Sequence, residues 1–222
     1  VELTGAKPVI IDTSIEDDFK TSASEIEKYI TDKTQILILN SPSNPTGVLF
    51  TRKEIEEIAE LCVSKNVFVI SDEIYDRLTY DNEEAASIAS INDKIKDITL
   101  TVNGASKSFA MTGWRVGYAA GPTDVVKGMT KLQSQLDTHC VSISQYATIE
   151  ALDKGEEATK KMVVSFNERR KFVIERLNSM EGIKTNVPMG AFYIFPEVSA
   201  YYGKKFNGSV INDSVGFCKF ML

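Results

Sequence analysis

Three short, almost uninterrupted apolar runs mark the first half of the chain: QILILN at 35–40, VFVIS at 67–71 and ITLTVN at 98–103. A strand with one wet face alternates apolar and polar residues, whereas a continuous run needs cover on both faces. Between the runs lie segments that open like helices. Ser22-x-x-Glu25 and Thr51-x-x-Glu54 are capping boxes, and the second leads into Ile55, Ile58, Ala59 and Cys62 at helical spacing. A fourth apolar run, PVIID at 8–12, precedes the first helix, and RVGYAA at 115–120 reads as a further strand of the series. Buried strands separated by capped helices predict an α/β fold, a mostly parallel sheet with helices on both faces.

Beyond Pro122 the pattern turns helical, with apolar residues three and four apart over 123–136, 142–152 and 156–180. Segments 182–187 and 191–195 then read as a strand pair bridged by Pro188-Met189-Gly190, the start of a smaller α+β unit. Residues 1–150 are therefore assigned to a large domain, and 151–222 to a linking helix and part of a small C-terminal domain. Val1 is not an initiator Met, and the helical pattern of 209–221 runs to the end without a capping residue. Both features lead us to expect a piece of a longer protein.

Charge narrows the function classes. Lys+Arg 25 against Asp+Glu 31 gives a net charge of −6, without the basic footprint of a nucleic-acid binder. No apolar stretch approaches the ~18 residues of a membrane span, so neither nucleic acid nor membrane is an expected partner. Cys62, Cys140 and Cys218 are an odd number without C-x-x-C spacing and read as reduced thiols of a cytoplasmic protein. His139 is the lone histidine and reads as structural, so no metal site is expected.

In open α/β sheets, ligands bind beyond the carboxyl ends of the strands. All three strong runs end in unusual polar residues. ILILN is followed by Ser41-Pro-Ser-Asn44-Pro45-Thr-Gly47, VFVIS by Asp72-Glu-Ile-Tyr75, and ITLTVN by Gly104-Ala-Ser106-Lys107, with Arg115 eight positions beyond the lysine. Each has a plain reading by itself: a turn, a capping carboxylate, a solvated lysine. Together they put charge at the buried end of a sheet, which is costly unless something pairs with it.

SPSNPTG, SDEIYDRLTY and SKSFAMTGWRVGY, in that order, resemble the motif set of the fold-type I, class I/II pyridoxal-phosphate-dependent aminotransferases, most closely the aspartate and aromatic group. The resemblance runs from about Val1 through PMGAFYIF. It implies that 1–150 is part of a cofactor-binding large domain of the PLP-transferase type. It further implies that Lys107 is the catalytic residue that forms the internal aldimine with pyridoxal 5′-phosphate. Asp72 would pair with the pyridine nitrogen, and Tyr75 and Asn44 would donate to the ring's phenolic oxygen. Asn44 would also reach the substrate carboxylate, and Ser106 and Arg115 would lie at the phosphate. Gly104 stands where the family often has a phosphate-binding Ser. The Asn44–Pro45 bond would be cis, and Trp114 and Tyr118 would be packing residues beside the lysine.

The activity so implied is transfer of an amino group between an amino acid (aspartate first, aromatic second) and a 2-oxo acid, in a homodimer. The family's phosphate loop, ring-stacking aromatic and carboxylate-clamping Arg are not matched in these residues, so the piece itself is expected to be inactive. Residues 8–12 are expected to present an unpaired sheet edge that is mobile, re-paired or covered by another copy of the chain. Rival readings are a C–S β-lyase, or a decarboxylase or synthase, of the same fold, and the non-enzymatic aminotransferase-like sensor domain of a transcription regulator.

Overall fold

A computed structural model gives the three-dimensional structure of the chain and describes residues 1–206 and 208–222. The first helix, α1 (Ala23–Tyr29), starts where the Ser22 hydroxyl accepts the Glu25 N–H at 3.2 Å. It leads into β1 (Ile36–Asn40), α2 (Arg52–Lys65) and β2 (Phe68–Asp72). The short α3 (Asp93–Lys96) precedes β3 (Thr99–Gly104), which runs directly into the one-turn helix α4 (Ala105–Ser108). Strand β4 (Gly117–Ala120) and helices α5 (Thr123–Leu136), α6 (Ser142–Lys154) and α7 (Glu156–Asn178) follow. A small hairpin, β5 (Lys205–Phe206) with β6 (Ser209–Val210), and helix α8 (Ser214–Met221) close the chain.

The main sheet has the order β1-β2-β3-β4. The first three strands are parallel, with Leu37 opposite Val69 and Val69 opposite Thr99. That register aims Leu39 and Val69 at α2, where Ile55, Ile58, Ala59 and Cys62 complete a core that includes Ile26, Ile88 and Ile95. On the other face of β1, Ile36 and Ile38 are 50% and 57% exposed. Helix α2 begins with the full reciprocal capping box expected of Thr51 and Glu54. Burial opposes the Glu54 charge, but hydrogen bonds from Lys20 and Thr51 outweigh it and hold the carboxyl below its ordinary value. This is a mostly parallel α/β sheet with helices, the architecture read from the sequence.

Three local expectations change. The fourth strand begins at Gly117 and runs antiparallel to β3, with Asn103 opposite Tyr118. Residues 105–116 are spent on α4 and a 3-10 turn (Thr112–Trp114) at the carboxyl end, so the chain doubles back instead of crossing the sheet. Residues 8–12 form no strand: a strand exists only through a ladder partner, and this segment has none among the described residues. Val9 and Ile10 are exposed. Residues 182–195 do not form a strand pair either. A single antiparallel bridge joins Lys184 and Glu197, because the backbone around Gly190 bonds to the turns of the main sheet instead. The expected helix at the end of the chain starts at Ser214, capped by the Asp213 carboxylate, which accepts the Gly216 N–H at 2.6 Å. Helix α6 spans residue 150, where the large domain was expected to end.

No helix among the described residues is long and apolar enough to cross a membrane. All three cysteines are free thiols. Burial pushes the Cys62 thiol up to about 11. The folded chain therefore keeps a proton that the unfolded chain releases from about pH 8.5. The stability linked to that proton is fully present below about pH 8.5 and is lost as pH rises through the folded value. At about pH 8, iodoacetamide is expected to modify Cys218 and Cys140 in the folded protein, and Cys62 only after unfolding in urea. Equal rates at all three thiols would contradict the burial of Cys62.

Candidate active site

The parallel register sets the ends of β1, β2 and β3 side by side, with Asn40 opposite Asp72 and Asp72 opposite Val102. From β1, the Asn40 amide donates to the Asp72 carbonyl at 3.0 Å, and its Oδ1 accepts the Asn44 N–H at 2.8 Å. The turn that follows carries cis peptide bonds at Ser41–Pro42 and Asn44–Pro45 and is pinned by the Ser41 hydroxyl, which accepts the Phe50 N–H at 3.1 Å. Asn44 itself is exposed, and its side chain reaches the Tyr75 hydroxyl.

From β2, Asp72 Oδ1 accepts the Ile74 N–H at 3.1 Å, a local Asx bond that orients the carboxylate. Tyr75 is 3% exposed, and its hydroxyl lies 2.6 Å from that of Tyr193. Burial raises the Tyr75 phenol well above its ordinary value. The Tyr193 hydroxyl and the Asp72 charge add to this, while Asn44 acts in the opposite direction. Tyr75 is thus a neutral hydrogen-bonding group throughout the physiological range.

From β3, the chain passes through Gly104, where a Cβ would meet the Val116 carbonyl oxygen at 2.9 Å. Three residues on, the Lys107 ammonium lies 5.7 Å from the centre of the Tyr75 ring and 5.4 Å from that of Phe192. Lys107, Tyr75, Asn44 and Asp72 therefore form one neighbourhood. Ser106 is half-buried next to the lysine. Arg115 is exposed, holds a left-handed φ of 54°, and donates to the Thr112 carbonyl at 2.8 Å. Trp114 and Tyr118 are 43% and 42% exposed, so neither is packed away beside the lysine. The His139 ring bonds its neighbour's carbonyl, and the described residues contain no group of metal-ligating side chains.

Phe192 and Tyr193 arrive from far along the sequence, and reading the sequence did not single them out. The N–H groups of Met189 and Gly190 both donate to the Gly47 carbonyl, at 3.0 and 2.9 Å, and Ala191 N–H donates to Leu78 O at 2.8 Å. From α7, Arg170 is 6% exposed; it donates to the Pro188 carbonyl at 2.8 Å and forms an ion pair with Asp81. The Arg170 hydrogen bond holds the Asp81 carboxyl below its ordinary value. Two glycines permit the close approach. A Cβ on Gly47, which has φ +68°, would fall 2.3 Å from Pro188 Cβ, and one on Gly190 would fall 2.5 Å from Pro42 Cβ. The signal was present in Gly190 beside an aromatic pair, but only the fold shows what that turn docks on.

A mostly parallel sheet thus gathers an amine, a carboxylate, a phenol and an amide at the ends of its parallel strands. The family profile described as "Aminotransferase class I and II" matches residues 1–216, and the chain belongs to that family. An aspartate aminotransferase of Bacillus sp. (strain YM-2) is 43% identical over 199 residues, covering 90% of this chain and 51% of its own length. The aromatic-amino-acid aminotransferase 2 of Thermococcus litoralis is 42% identical over 218 residues, 96% of this chain and 56% of its own. Among solved structures, the aspartate aminotransferase from Rhizobium meliloti superposes with a TM-score of 0.92 at 36% identity, over 97% of this chain and 54% of that one. The chain spans about half the length of these relatives.

Gly190→Ala is expected to force the Phe192–Tyr193 segment off the turn at Pro42, because the contact is with a rigid proline ring. The variant should unfold at lower urea concentration by about 1–3 kcal/mol and lose the Tyr75–Tyr193 contact, seen as increased exposure of tyrosines in ultraviolet difference spectra. Unchanged stability and spectra would contradict the tight docking.

Proposed function

We propose that this chain carries the cofactor-binding part of a pyridoxal-phosphate-dependent aminotransferase that moves an amino group between an amino acid and a 2-oxo acid. The observation that carries the reading is the convergence of Lys107, Asp72, Tyr75 and Asn44 at the ends of adjacent strands. One amine, one carboxylate and two neutral hydrogen-bonding groups match the functional groups of a phosphorylated pyridine aldehyde. Relatives that are named for aspartate and for aromatic amino acids both support the substrate class. We take aspartate first and aromatic amino acids second.

Pyridoxal phosphate, when bound, supplies an electron-withdrawing ring that stabilises negative charge at the substrate's α-carbon. Lys107 would hold the cofactor through its amine and, once released by substrate, would move the proton between the substrate's α-carbon and the cofactor's aldehyde carbon. The Asp72 carboxylate, oriented by the Ile74 N–H, keeps a proton on the pyridine nitrogen. The Tyr75 hydroxyl and the Asn44 amide donate toward the ring oxygen, and Asn44 also orients the substrate carboxylate. Ser106 and Arg115 would hold the phosphate, for which the Arg115 guanidinium would supply the positive charge. We assign residues 1–150 to the cofactor-binding domain and 151–222 to the linking helix and part of the small domain. The whole enzyme is proposed to be a cytoplasmic homodimer.

The test is covalent labelling. Pyridoxal phosphate followed by borohydride is expected to add a pyridoxyl group to Lys107 in the peptide map, with loss of the visible absorption band. Lys107→Ala should show neither the band nor the label at that peptide, and in the whole enzyme should lower turnover on the order of 10²–10⁴-fold. The same band in wild type and variant would refute Lys107 as the attachment point. Formation of a 2-oxo acid from the amino acid separates this activity from a sensor, which binds without turnover, and its dependence on a 2-oxo acid acceptor without release of ammonia or thiol separates it from a lyase.

A further inference from the structure

Outside the cluster of proposed cofactor contacts, one side chain joins the two strand ends on which the chemistry depends. Asp76 follows Tyr75 directly. Its Oδ1 accepts the Ser108 hydroxyl at 3.1 Å, and its Oδ2 accepts the Asn103 amide at 3.0 Å. Ser108 is the residue after Lys107, and Asn103 is next to Gly104 at the end of β3. Both partners are buried, Ser108 at 2% and Asn103 at 9% exposure, so each needs a partner inside the protein. The contacts continue outward. Asn103 Oδ1 accepts the Gly104 N–H at 2.7 Å, and the Thr159 hydroxyl of α7 donates to the Ser108 carbonyl at 2.7 Å. Arg77 is turned away, held by Glu156 at 2.6 Å and stacked 5.3 Å from the Phe109 ring, which ties the same two turns together a second time.

We propose that Asp76 is a positioning residue for Lys107: its carboxylate straps the lysine turn to the Tyr75 turn and so sets where the Lys107 amine stands relative to Asp72 and Tyr75. Two donors from two sides of the β3 end converge on one group, so that group must offer two acceptor oxygens on a short stem. Aspartate does this, whereas asparagine has one acceptor and can satisfy only one of the two donors in the same pose. The Lys107 amine projects from a one-turn helix that closes on long backbone bonds, Phe109 N–H to Ala105 O and Ala110 N–H to Lys107 O, both 3.3 Å. A turn of that size does not hold a fixed direction without outside support. Asp76 acts on the amine through Ser108 and Asn103. The consequence for catalysis rests on the Lys107 role proposed above.

The test compares the chain with Asp76→Asn, Ser108→Ala, and the double variant Asp76→Asn with Asn103→Asp, which restores a donor for each acceptor. Two readouts are taken. The first is hydrogen exchange of the 105–110 amides without cofactor. Exchange should quicken about tenfold or more in Asp76→Asn and Ser108→Ala and return toward wild type in the double variant. The second is the borohydride-fixed pyridoxyl label on Lys107 relative to exposed Lys53 in the same sample. It should fall in both single variants and recover in the double variant, with Lys53 unchanged. Exchange and selective labelling that do not respond to Asp76→Asn and Ser108→Ala would overturn the proposal, as would a double variant that regains thermal stability but not the turn. If Lys107 in the unsubstituted chain labels no faster than Lys53, the Lys107 attachment reading fails. The exchange data then decide the strap independently.

Discussion

Asn40 stands opposite Asp72, and Asp72 opposite Val102, in a parallel ladder that no side chain could shift by one residue without reversing which face meets α2. Ile58 and Cys62 are fully buried against Leu39 and Val69, so the apolar core holds that register. Parallel strands share a direction, and all three carboxyl ends therefore come out at one edge. The cofactor-binding reading, the strap at Asp76 and the docking of the second segment all depend on this alignment. A polar group at the end of a single strand would be a turn residue; three ends held level make a site.

The second dependence is on backbone. Residues 188–193 reach the site by donating main-chain N–H groups to Gly47 and Leu78 carbonyls, with Arg170 bonded to the Pro188 carbonyl. The Ala191 N–H, which a hairpin between 182–187 and 191–195 could have used, is committed to Leu78, and the connecting turn is held at Gly47. These bonds also bring Tyr193 within 2.6 Å of Tyr75 and Phe192 over the lysine. The side chains around Lys107 thus come from both halves of the chain.

Beneath the strand ends lies a buried polar layer. Glu73 is 8% exposed and accepts hydroxyls from Ser71 and Ser87, both at 2.8 Å; burial nevertheless raises its carboxyl above the ordinary value. Asp76, Asn103, Ser108 and Thr159 form the neighbouring set. Groups of this kind add little net stability, but leaving one without its partner is expensive, so they make wrong arrangements of the turns costly.

Local signals made the three parallel strands and α2 legible in the sequence. A continuous apolar run, a reciprocal Thr51–Glu54 cap and apolar residues at helical spacing each act within a few residues, where periodicity reports burial directly. The polar residues at the strand ends were legible for the same reason, since a charge next to a buried run is conspicuous. Nearest-neighbour pattern could not reveal partners. Residues 8–12 have the composition of a strand, but strandedness depends on a ladder partner elsewhere in the chain. The direction of β4 depends on how 105–116 is used, and the commitment of 188–193 on the distant Gly47 and Leu78 carbonyls. The meeting of Tyr193 with Tyr75, and of Asp76 with Ser108 and Asn103, was likewise decided only in three dimensions. Hydrogen bonds are satisfied by whichever group the folded chain brings within 3 Å, and a linear pattern does not encode that distance.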